Sequence, residues 1–486
     1  MKILFTHSYF LRLDHKQWKA AKPYPPLATL YAMAWLRQQG HDVSLHDTMF
    51  ATGPDELRST LKTRRPDILV IYDDGFNWLT KMCLSTMQDA AFEMIRSGKE
   101  AGCQVLVCSS DASDHRLRYL KHGADAIILG EGEITLGEIV EAIGSDPDAD
   151  LGAIPGLALL EEDQVVLSPP RKTLREPDTL PRPAWDLVDL SPYEEMWRAH
   201  HGYWSLNLVS SRGCPYSCTW CAKPIYGDQY FLHSPERVVE DVAWLKDHHD
   251  FEHVWFCDDI FGLRADWLET FADGLKQRRL DIRFMIQARV DLLARPEIVD
   301  PLARAGLDTV WMGVESGSQK IMDAMAKGIT VEQVREATRL LKNAGVRVAF
   351  FLQFGYLGED KQDIDKTINL VLELLPDEIG ISVSYPLPGT PFFDTVKAQM
   401  GQKTNWTDSG DLALMYQGTF SPQYYRRLHR YVHRRFQTAR GLKSLRSLAR
   451  NPGRLNRSLL RSAAATAFHG PAALVEGLRL KRLEKA

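Results

Sequence analysis

The stretch RGCPYSCTWC, residues 212–221, contains three of the chain's seven cysteines in the spacing Cys-x3-Cys-x2-Cys. At this cysteine content, such a triplet should arise by chance in roughly one chain in a thousand. Three thiolates leave an iron-sulfur cluster, which takes four ligands, one ligand short. An iron with an open site can hold a substrate or a second cofactor. The sequence therefore predicts a metal site at Cys214, Cys218 and Cys221.

A structural zinc site and a disulfide framework are the alternatives for these cysteines. Zinc needs four ligands in a closed tetrahedron, usually drawn from two close pairs. No second pair exists, because the other cysteines are scattered at Cys83, Cys103, Cys108 and Cys257. The odd count, the length of the chain and the lack of a signal-peptide pattern disfavour disulfides. The pattern indicates a reducing, cytoplasmic setting.

With Trp220 before its last cysteine, the triplet resembles the motif of the radical S-adenosylmethionine (SAM) superfamily. The resemblance implies a 4Fe-4S cluster on the three cysteines, with SAM chelating the fourth iron. It also implies that the reduced cluster cleaves SAM to a 5'-deoxyadenosyl radical, so that the cofactors carry the difficult step. The protein must then orient them and keep the radical from solvent.

Length and composition indicate a multidomain globular protein. The chain has 486 residues, of which 44% are hydrophobic and 25% charged, and no apolar stretch approaches the ~20 residues of a membrane span. Charge is unevenly spread. Residues 426–486 contain 16 Lys or Arg and two acidic residues, a net charge of +14. Because the whole chain has a net charge of −4, residues 1–425 carry −18.

Residues 1–145 alternate short β-branched runs with amphipathic helical stretches in five β/α units. Three of the predicted helices end in glycine before the next strand, at Gly40, Gly102 and Gly123, where a left-handed residue turns the chain back. This alternation predicts a doubly wound parallel sheet with ligands at the carboxyl ends of its strands. The Gly-x-Gly-x-x-Gly fingerprint of a dinucleotide site is missing after the first strand.

The same segment resembles the cobalamin-binding domain that precedes many radical SAM domains. The likeness rests on PPLA at 25–28 and GADAIILGEGE at 123–133, and it implies a Rossmann-like cobalamin domain over residues 1–145. The Asp-x-His-x-x-Gly motif that supplies a histidine to cobalt is absent. Either cobalt has no protein ligand, or His7 or another loop residue serves. A cofactor-free Rossmann-like scaffold is the alternative.

Residues 146–200 form the predicted connector, with a small hairpin over 156–167 and a stiff, proline-rich run after it. From residue 201 to 423 the β/α alternation resumes in six units, and the resemblance implies a partial (β/α)6 TIM-type barrel. Chemistry in such barrels gathers at the carboxyl ends of the strands. The cysteine stretch follows the first of these predicted strands, as this fold requires.

The predicted SAM contacts follow the second, third and fourth strands of that barrel. Asp258 and Asp259 offer charge-assisted hydrogen bonds to the ammonium of SAM, or a helix cap. Arg289 offers a bidentate contact to the carboxylate of SAM, or a structural ion pair. Glu315 and Ser316 lie in a segment that resembles the family's ribose-contacting loop. No catalytic residue is assigned.

Residues 424–486 predict a basic helical tail with Leu442, Leu445 and Leu448 on one face. Basic amphipathic helices lie on anionic membranes, which attract each nearby basic residue by ~1 kcal/mol. Docking on the acidic remainder of the same chain is an equal alternative. Aromatic residues are not interleaved as in nucleic-acid-binding segments, so no nucleic-acid partner is expected.

The sequence thus predicts a cobalamin-dependent radical SAM enzyme that methylates an unactivated carbon. Oxidative cyclisation or ring rearrangement is an alternative, since LMYQGT at 414–419 resembles the end of anaerobic tetrapyrrole cyclases. A non-catalytic sensor is a further alternative. The expected partners are a small-molecule, lipid or tetrapyrrole-like substrate and a flavodoxin or ferredoxin as electron donor. The expected location is the cytoplasm, with peripheral contact at the inner face of the membrane.

Overall fold

The computed structural model describes residues 1–82, 84–450 and 457–484, so Cys83 and the tail residues 451–456 and 485–486 lie outside the described chain. Two sheets with flanking helices form the body of the molecule. Within the described ranges, no helix has both the length and the apolar character that crossing a bilayer demands.

The first sheet has seven strands in the order β2-β1-β3-β4-β5-β6-β7. Pairing is parallel from β2 to β5. Gly40, Gly102 and Gly123 have positive φ, as their predicted place at helix ends requires. The strands are β1 Lys2–Thr6, β2 Asp42–His46, β3 Ile68–Tyr72, β4 Gln104–Cys108, β5 Ala126–Ile128, β6 Leu157–Glu161 and β7 Gln164–Leu167.

The hairpin β6–β7, which the sequence places in the connector, is the antiparallel edge of this first sheet. Ile127 pairs with Ala158, and β6 pairs in turn with β7. The helices before the second sheet are α1 His15–Ala20, α2 Leu27–Gln38, α3 Leu57–Arg64, α4 Trp78–Lys81, α5 Ser85–Glu100, α6 Ser110–Asp114, α7 Arg116–Lys121, α8 Glu133–Ser145 and α9 Ser191–His201.

The second sheet has six parallel strands that neighbour one another in chain order, as in a partial barrel. A separate short antiparallel pair, β9 Ser211–Arg212 and β10 Phe231–Leu232, closes the base of the loop with the cysteines. The six strands are β8 Ser205–Leu208, β11 His253–Phe256, β12 Arg283–Ala288, β13 Leu307–Glu315, β14 Arg347–Phe354 and β15 Glu378–Val383.

Helices alternate with these strands and cover the outside of the sheet, with an apolar core between. They are α10 Pro235–His248, α11 Ala265–Gln277, α12 Val290–Leu293, α13 Pro296–Arg304, α14 Gln319–Ala324, α15 Val331–Asn343, α16 Lys361–Leu374 and α17 Pro391–Val396.

The predicted basic tail consists of two long helices, α18 Pro422–Arg450 and α19 Arg457–Leu483. They run antiparallel, because Arg427 near the start of α18 pairs with Glu476 near the end of α19. The start of α18 packs on the barrel through buried apolar residues that include Tyr424, Tyr425 and Leu428. The tail therefore docks on its own chain by apolar contact rather than by charge alone.

A crossover segment, residues 404–419, connects the end of the barrel to the tail and passes over the first domain. The carbonyl of Trp406 accepts the N–H of Ser85 at 2.7 Å. Ser409 Oγ donates to Asp14 at 2.9 Å, and Lys16 donates to the carbonyl of Ser409 at 3.0 Å. An early and a late segment of the chain thus meet on the surface of the first domain.

Candidate cofactor site

The cysteine loop, residues 213–230, follows β8 and β9 at the carboxyl end of the barrel. Cys214, Cys218 and Cys221 are half-buried, unpaired thiols. Gly213 has a φ of +76°, and a Cβ there would lie 2.1 Å from the carbonyl oxygen of Gln229. Only glycine therefore lets the chain enter this loop beside its returning strand.

Backbone and side-chain hydrogen bonds fix the shape of the cysteine loop. Lys223 Nζ donates to the carbonyls of Cys214 and Tyr216 at 2.7 and 2.8 Å. Between the second and third cysteines, the N–H of Thr219 donates to Met325, and its carbonyl accepts from Phe392. The Thr219 hydroxyl also lies 2.7 Å from the hydroxyl of Tyr356. The end of α14, the loop after β14 and the start of α17 thus hold the segment that carries the thiols.

Charged side chains surround the three thiols. Arg289 Nη1 lies 3.8 Å from Cys218 Sγ, and its guanidinium stacks 3.7 Å above the ring of Tyr216. Burial raises the pKa of the Cys214 thiol. Burial, helped by the carboxylate of Asp259, raises the pKa of Cys221 to about 12. The guanidinium of Arg289 thus lies where it can balance negative charge on thiolate ligands.

Asp259, Arg289 and Glu315, three of the predicted SAM contacts, lie around the cysteine loop, and each has a protein partner. Asp259 forms an ion pair with Lys81 of α4, which reaches across from the first domain. Arg289 Nε donates to Asp291 at 2.9 Å. Glu315 accepts from Lys327 at 2.8 Å. Burial disfavours the Lys327 ammonium, but Glu315 and then Cys218 outweigh it, so the pKa of Lys327 is raised.

Glu315 also has an unusual backbone. Its φ of +63° is in the left-handed region, which costs a residue other than glycine about 1 kcal/mol or more. The register between β13 and β14 shifts at this point. Strain of this kind persists where the surroundings dictate the conformation, and it is frequent in ligand sites.

Asp258 and Ser316, the other two predicted contacts, are buried behind the loop. The Asp258 carboxylate accepts the N–H of Ser210 at 3.0 Å and the hydroxyls of Ser210 and Ser211. Burial raises the pKa of Asp258 to about 6. Ser316 lies 3.1 Å from Thr367 through their hydroxyls. A role in SAM binding stays a prediction for both, and their present bonds position the ends of β8 and β13.

A joint between the two domains lies directly before the first cysteine. The side chain of Arg212 is fully buried and pairs with Glu133 at 2.8 Å and Glu131 at 3.4 Å. Its guanidinium also lies over three aromatic rings, those of Tyr31, Phe76 and Tyr226. Glu131 and Glu133, in the stretch that resembles the cobalamin-binding domain, thus form ion pairs with a residue of the barrel.

Two cavities lie at the strand ends of the first domain. One, of about 20 Å³, is lined by residues after β1, β3 and β4, among them Ser8, Asp73 and Asp111. The other, of about 220 Å³, separates Ser113, Asp114, Arg116 and Gly130 of the first domain from Ala222, Lys223, Pro224, Pro388 and Gly389 of the barrel. The larger cavity therefore faces the cysteine loop.

His7 is not a free ligand at these strand ends. Its Nε2 lies 2.9 Å from Asp47, and its Nδ1 lies 3.0 Å from the hydroxyl of Thr48. Both ring nitrogens therefore have protein partners, and the imidazole is 1% exposed. A cobalt ligand at His7 would require both bonds to be broken.

The donor set of the cysteine loop suits an iron-sulfur cluster. Soft thiolates are its ligands. In the described part of the chain, no three His, Cys, Asp or Glu side chains converge on a point where one metal ion would sit. A cluster with several irons spreads its ligands more widely than a single ion does. Three free thiols on one fixed loop therefore fit a cluster better than they fit zinc.

The larger cavity suits the edge of a polar cofactor such as a corrin. Arg116 lines it, and the Nε of Arg116 is buried without a hydrogen-bond partner among the described residues. An unpaired buried donor fits an amide or anionic group of a ligand.

Residues 208–371 match the family model of the radical SAM superfamily, so this part of the chain carries a radical SAM domain. The fold of the chain is similar to that of a solved radical SAM enzyme over nearly its whole length. The structure of the cobalamin-dependent radical enzyme OxsB, with aqua-cobalamin and SAM bound, matches 99% of this chain and 72% of its own, at a TM-score of 0.74 and 18% identity. The predicted superfamily and α/β fold class are confirmed.

Two curated relatives differ in the reaction that their names give. An uncharacterized methyltransferase of Pyrococcus horikoshii, PH0819, is 29% identical over 376 residues, which are 76% of this chain and 78% of the relative. The anaerobic magnesium-protoporphyrin IX monomethyl ester cyclase of Rubrivivax gelatinosus is 25% identical over 422 residues, 84% of this chain and 71% of that protein. Because both names are those of enzymes, they argue against the sensor alternative.

Sequence reasoning missed the roles of Lys81, Arg212 and Lys327, and it placed Tyr356 in a strand-end loop without giving it a role. Arg212 adjoins the triplet, and its position next to Gly213 was the one available signal. Lys81 and Lys327 carry no local pattern, because their partners are 178 and 12 residues away.

Proposed function

We propose that this chain is a cobalamin-dependent radical SAM enzyme that methylates an unactivated carbon. The observation that carries the proposal is the larger cavity, whose walls are the strand ends of the first domain on one side and the cysteine loop on the other. Such a methylation needs both cofactors close to one substrate, and this cavity lies between the domain predicted to bind cobalamin and the loop predicted to hold the cluster.

When bound, the 4Fe-4S cluster with SAM would supply a hydrogen-abstracting radical, and methylcobalamin would supply the methyl group. Cys214, Cys218 and Cys221 would hold the cluster. Asp259, Arg289 and Glu315 are the predicted contacts nearest to it, and they would orient the polar groups of SAM. The joint at Arg212 fixes the first domain against the loop that follows it, which would keep the separation of the two sites constant.

A second candidate is a non-methylating reaction such as oxidative cyclisation or ring rearrangement. The cyclase relative of Rubrivivax gelatinosus favours it, as does the segment 414–419. In this segment Tyr416 donates to the carbonyl of Gly355, at the end of β14. The same two cofactor sites would serve both reactions.

The proposed reaction indicates which partners the enzyme would need. A flavodoxin or ferredoxin would reduce the cluster. The substrate would be a small molecule of lipid or tetrapyrrole type, in keeping with the tetrapyrrole in the name of one relative. We also infer contact between the basic tail and an anionic membrane, where a lipid-soluble substrate would be found.

The test is anaerobic reconstitution of the cluster, reduction, and measurement of 5'-deoxyadenosine released from SAM. Cys218→Ala should abolish the release, whereas Cys103→Ala, which removes a buried thiol of the first sheet, should not. Release by the wild type no greater than by Cys218→Ala would refute the enzyme proposal.

Cobalamin binding and methylation need separate readouts. Protein loaded with hydroxocobalamin should keep a bound-cobalamin spectrum through gel filtration, and a free-cobalamin spectrum would refute the assignment of the first domain. In extracts, label from methyl-labelled SAM should enter a product. A product with a new ring and no label would favour the cyclase alternative.

A further inference from the structure

Helix α19 presents an apolar face to solvent. Phe468, Leu474 and Leu478 are 66%, 73% and 63% exposed. With 3.6 residues per turn, the exposed apolar residues of this helix fall within about one third of its circumference. They form what we call the α19 stripe, which consists of Ala464, Ala467, Phe468, Pro471, Leu474, Val475 and Leu478.

The buried face of the same helix is less apolar than the stripe. Ala473, Glu476 and Leu480 are its buried residues among the side chains described. Glu476, the one acidic residue of α19, is ion-paired with Arg427 at 3.1 Å and Arg479 at 3.3 Å. A helix on a globular body ordinarily turns its apolar stripe inward. α19 does the reverse, so its outer face is suited to a partner.

The charge around the stripe selects the kind of partner. Arg479, Lys481 and Arg482 are exposed at its carboxyl end, and the Arg434 guanidinium lies over the ring of Phe468. Because Glu476 points inward, the described outer surface of α19 carries apolar and basic side chains without an acidic one. This is the composition of a helix that lies in the interface of an anionic bilayer.

We propose that the α19 stripe is a membrane-docking surface, which inserts into the headgroup region of an anionic bilayer while the flanking Arg and Lys contact lipid phosphates. A second copy of the chain is disfavoured as the occupant, because two tails of +14 each would face one another. The proposal moves the membrane contact from the predicted α18 leucines to α19. It deepens the inferred membrane contact but is independent of the proposed reaction.

The test uses full-length protein and sedimentation with vesicles of phosphatidylcholine, with or without phosphatidylglycerol. Wild type should bind the anionic vesicles, and binding should weaken with salt. The double variant Leu474→Gln/Leu478→Gln should bind at least about tenfold more weakly, because two large apolar side chains no longer enter the interface. Lys481→Gln/Arg482→Gln should weaken binding to anionic vesicles in particular.

The matched control is Leu167→Gln, on β7, since Leu167 is likewise exposed, at 54%, and lies on the edge of the first sheet. It should bind as wild type does. Thermal midpoints of all variants should be unchanged, since the substituted side chains are exposed.

Absence of vesicle binding by the wild type, or equal binding by the double variant, would overturn the proposal. A wild-type dimer in sedimentation equilibrium that the double variant converts to monomer would instead make the stripe a self-association surface. Release of 5'-deoxyadenosine without vesicles is a separate readout, so failure here and failure of the enzyme proposal are distinguishable.

Discussion

The strand ends of the two sheets use their polar residues in different ways. In the first sheet, charged groups are bound by protein: His7 by Asp47, Asp73 by Ser8, and Glu133 by Arg212. In the barrel, the strand ends hold three half-buried thiols and Glu359, one of whose carboxyl oxygens is buried without a partner. Barrel loops thus present free thiols beside paired charged groups, whereas loops of the first domain build an interface.

Under the proposed function, this difference means that the two domains would recognise their cofactors by different means. The barrel offers ligand atoms. The first domain offers a shaped space and hydrogen bonds, and it contributes Lys81, Glu131 and Glu133 to the neighbouring domain. Binding of cobalamin without a histidine ligand agrees with the absence of the Asp-x-His-x-x-Gly motif and with the bonds of His7.

The largest expected effect comes from removing the joint between the two domains at Arg212. Arg212→Met should lower the free energy of unfolding by about 3–5 kcal/mol, because Glu131 and Glu133 would stay buried without their cation. Chemical denaturation measures this change. Arg335→Met, which removes a surface ion pair with Glu373, should cost about 1 kcal/mol or less. Adding Glu131→Gln and Glu133→Gln to Arg212→Met should restore part of the loss, and an unchanged stability of Arg212→Met would contradict the joint.

A pH titration tests the unsatisfied carboxyl of the barrel. Burial raises the pKa of Glu359 from 4.5 to about 8. Between these values the folded chain keeps a proton that the unfolded chain loses, so Glu359 lowers stability as pH rises, by an amount on the order of a few kcal/mol. Glu359→Gln should therefore gain stability relative to wild type between pH 4.5 and about 8. Thermal midpoints across this range measure the difference, and a difference independent of pH would show that the carboxyl is not buried as described.

The anchoring of the cysteine loop is a smaller test. Tyr356→Phe removes the contact with the Thr219 hydroxyl and should cost about 1 kcal/mol. Iron should also leave the reconstituted protein faster in the presence of a chelator. Thr219→Val should have a similar effect, and the double variant should cost less than the sum of the two. Additive losses would mean that the two hydroxyls act separately.

The smallest expected effect is that of a substitution at His7 in the first domain. His7→Gln should leave the visible spectrum of bound cobalamin unchanged, because both ring nitrogens are bonded to Asp47 and Thr48. Some stability should be lost with the bonds. A shifted spectrum would instead make His7 a cobalt ligand.

Much of the fold was predictable from local patterns. The sequence predicts strands at His253–Phe256 and Arg347–Phe354, and β11 and β14 have these bounds, since Gly345 and the polar residues around the strands mark their limits. It predicts a strand at Thr309–Val314, but β13 runs from Leu307 to Glu315, because pairing continues through a left-handed residue that no propensity indicates. The hairpin β6–β7 was predicted, but its pairing with β5 depends on a contact between distant segments.

The site could be predicted from the sequence only where its residues lie close together in the chain. Spacing alone identified the three cysteines. The partners of Arg212 and Asp259 lie 79 and 178 residues away, so their pairing depends on how two domains meet. The exposed face of α19 was missed for a related reason: amphipathicity shows that a helix has an apolar side, but only its packing shows which way that side faces.

The crossover segment bears on how the protein is made. Ser409 and Asp14 are 395 residues apart in sequence, so the first domain leaves the ribosome long before the segment that covers it. Domains fold in order as they are synthesised, and contacts of this separation form late. The first domain must therefore persist with that surface uncovered while the barrel is translated.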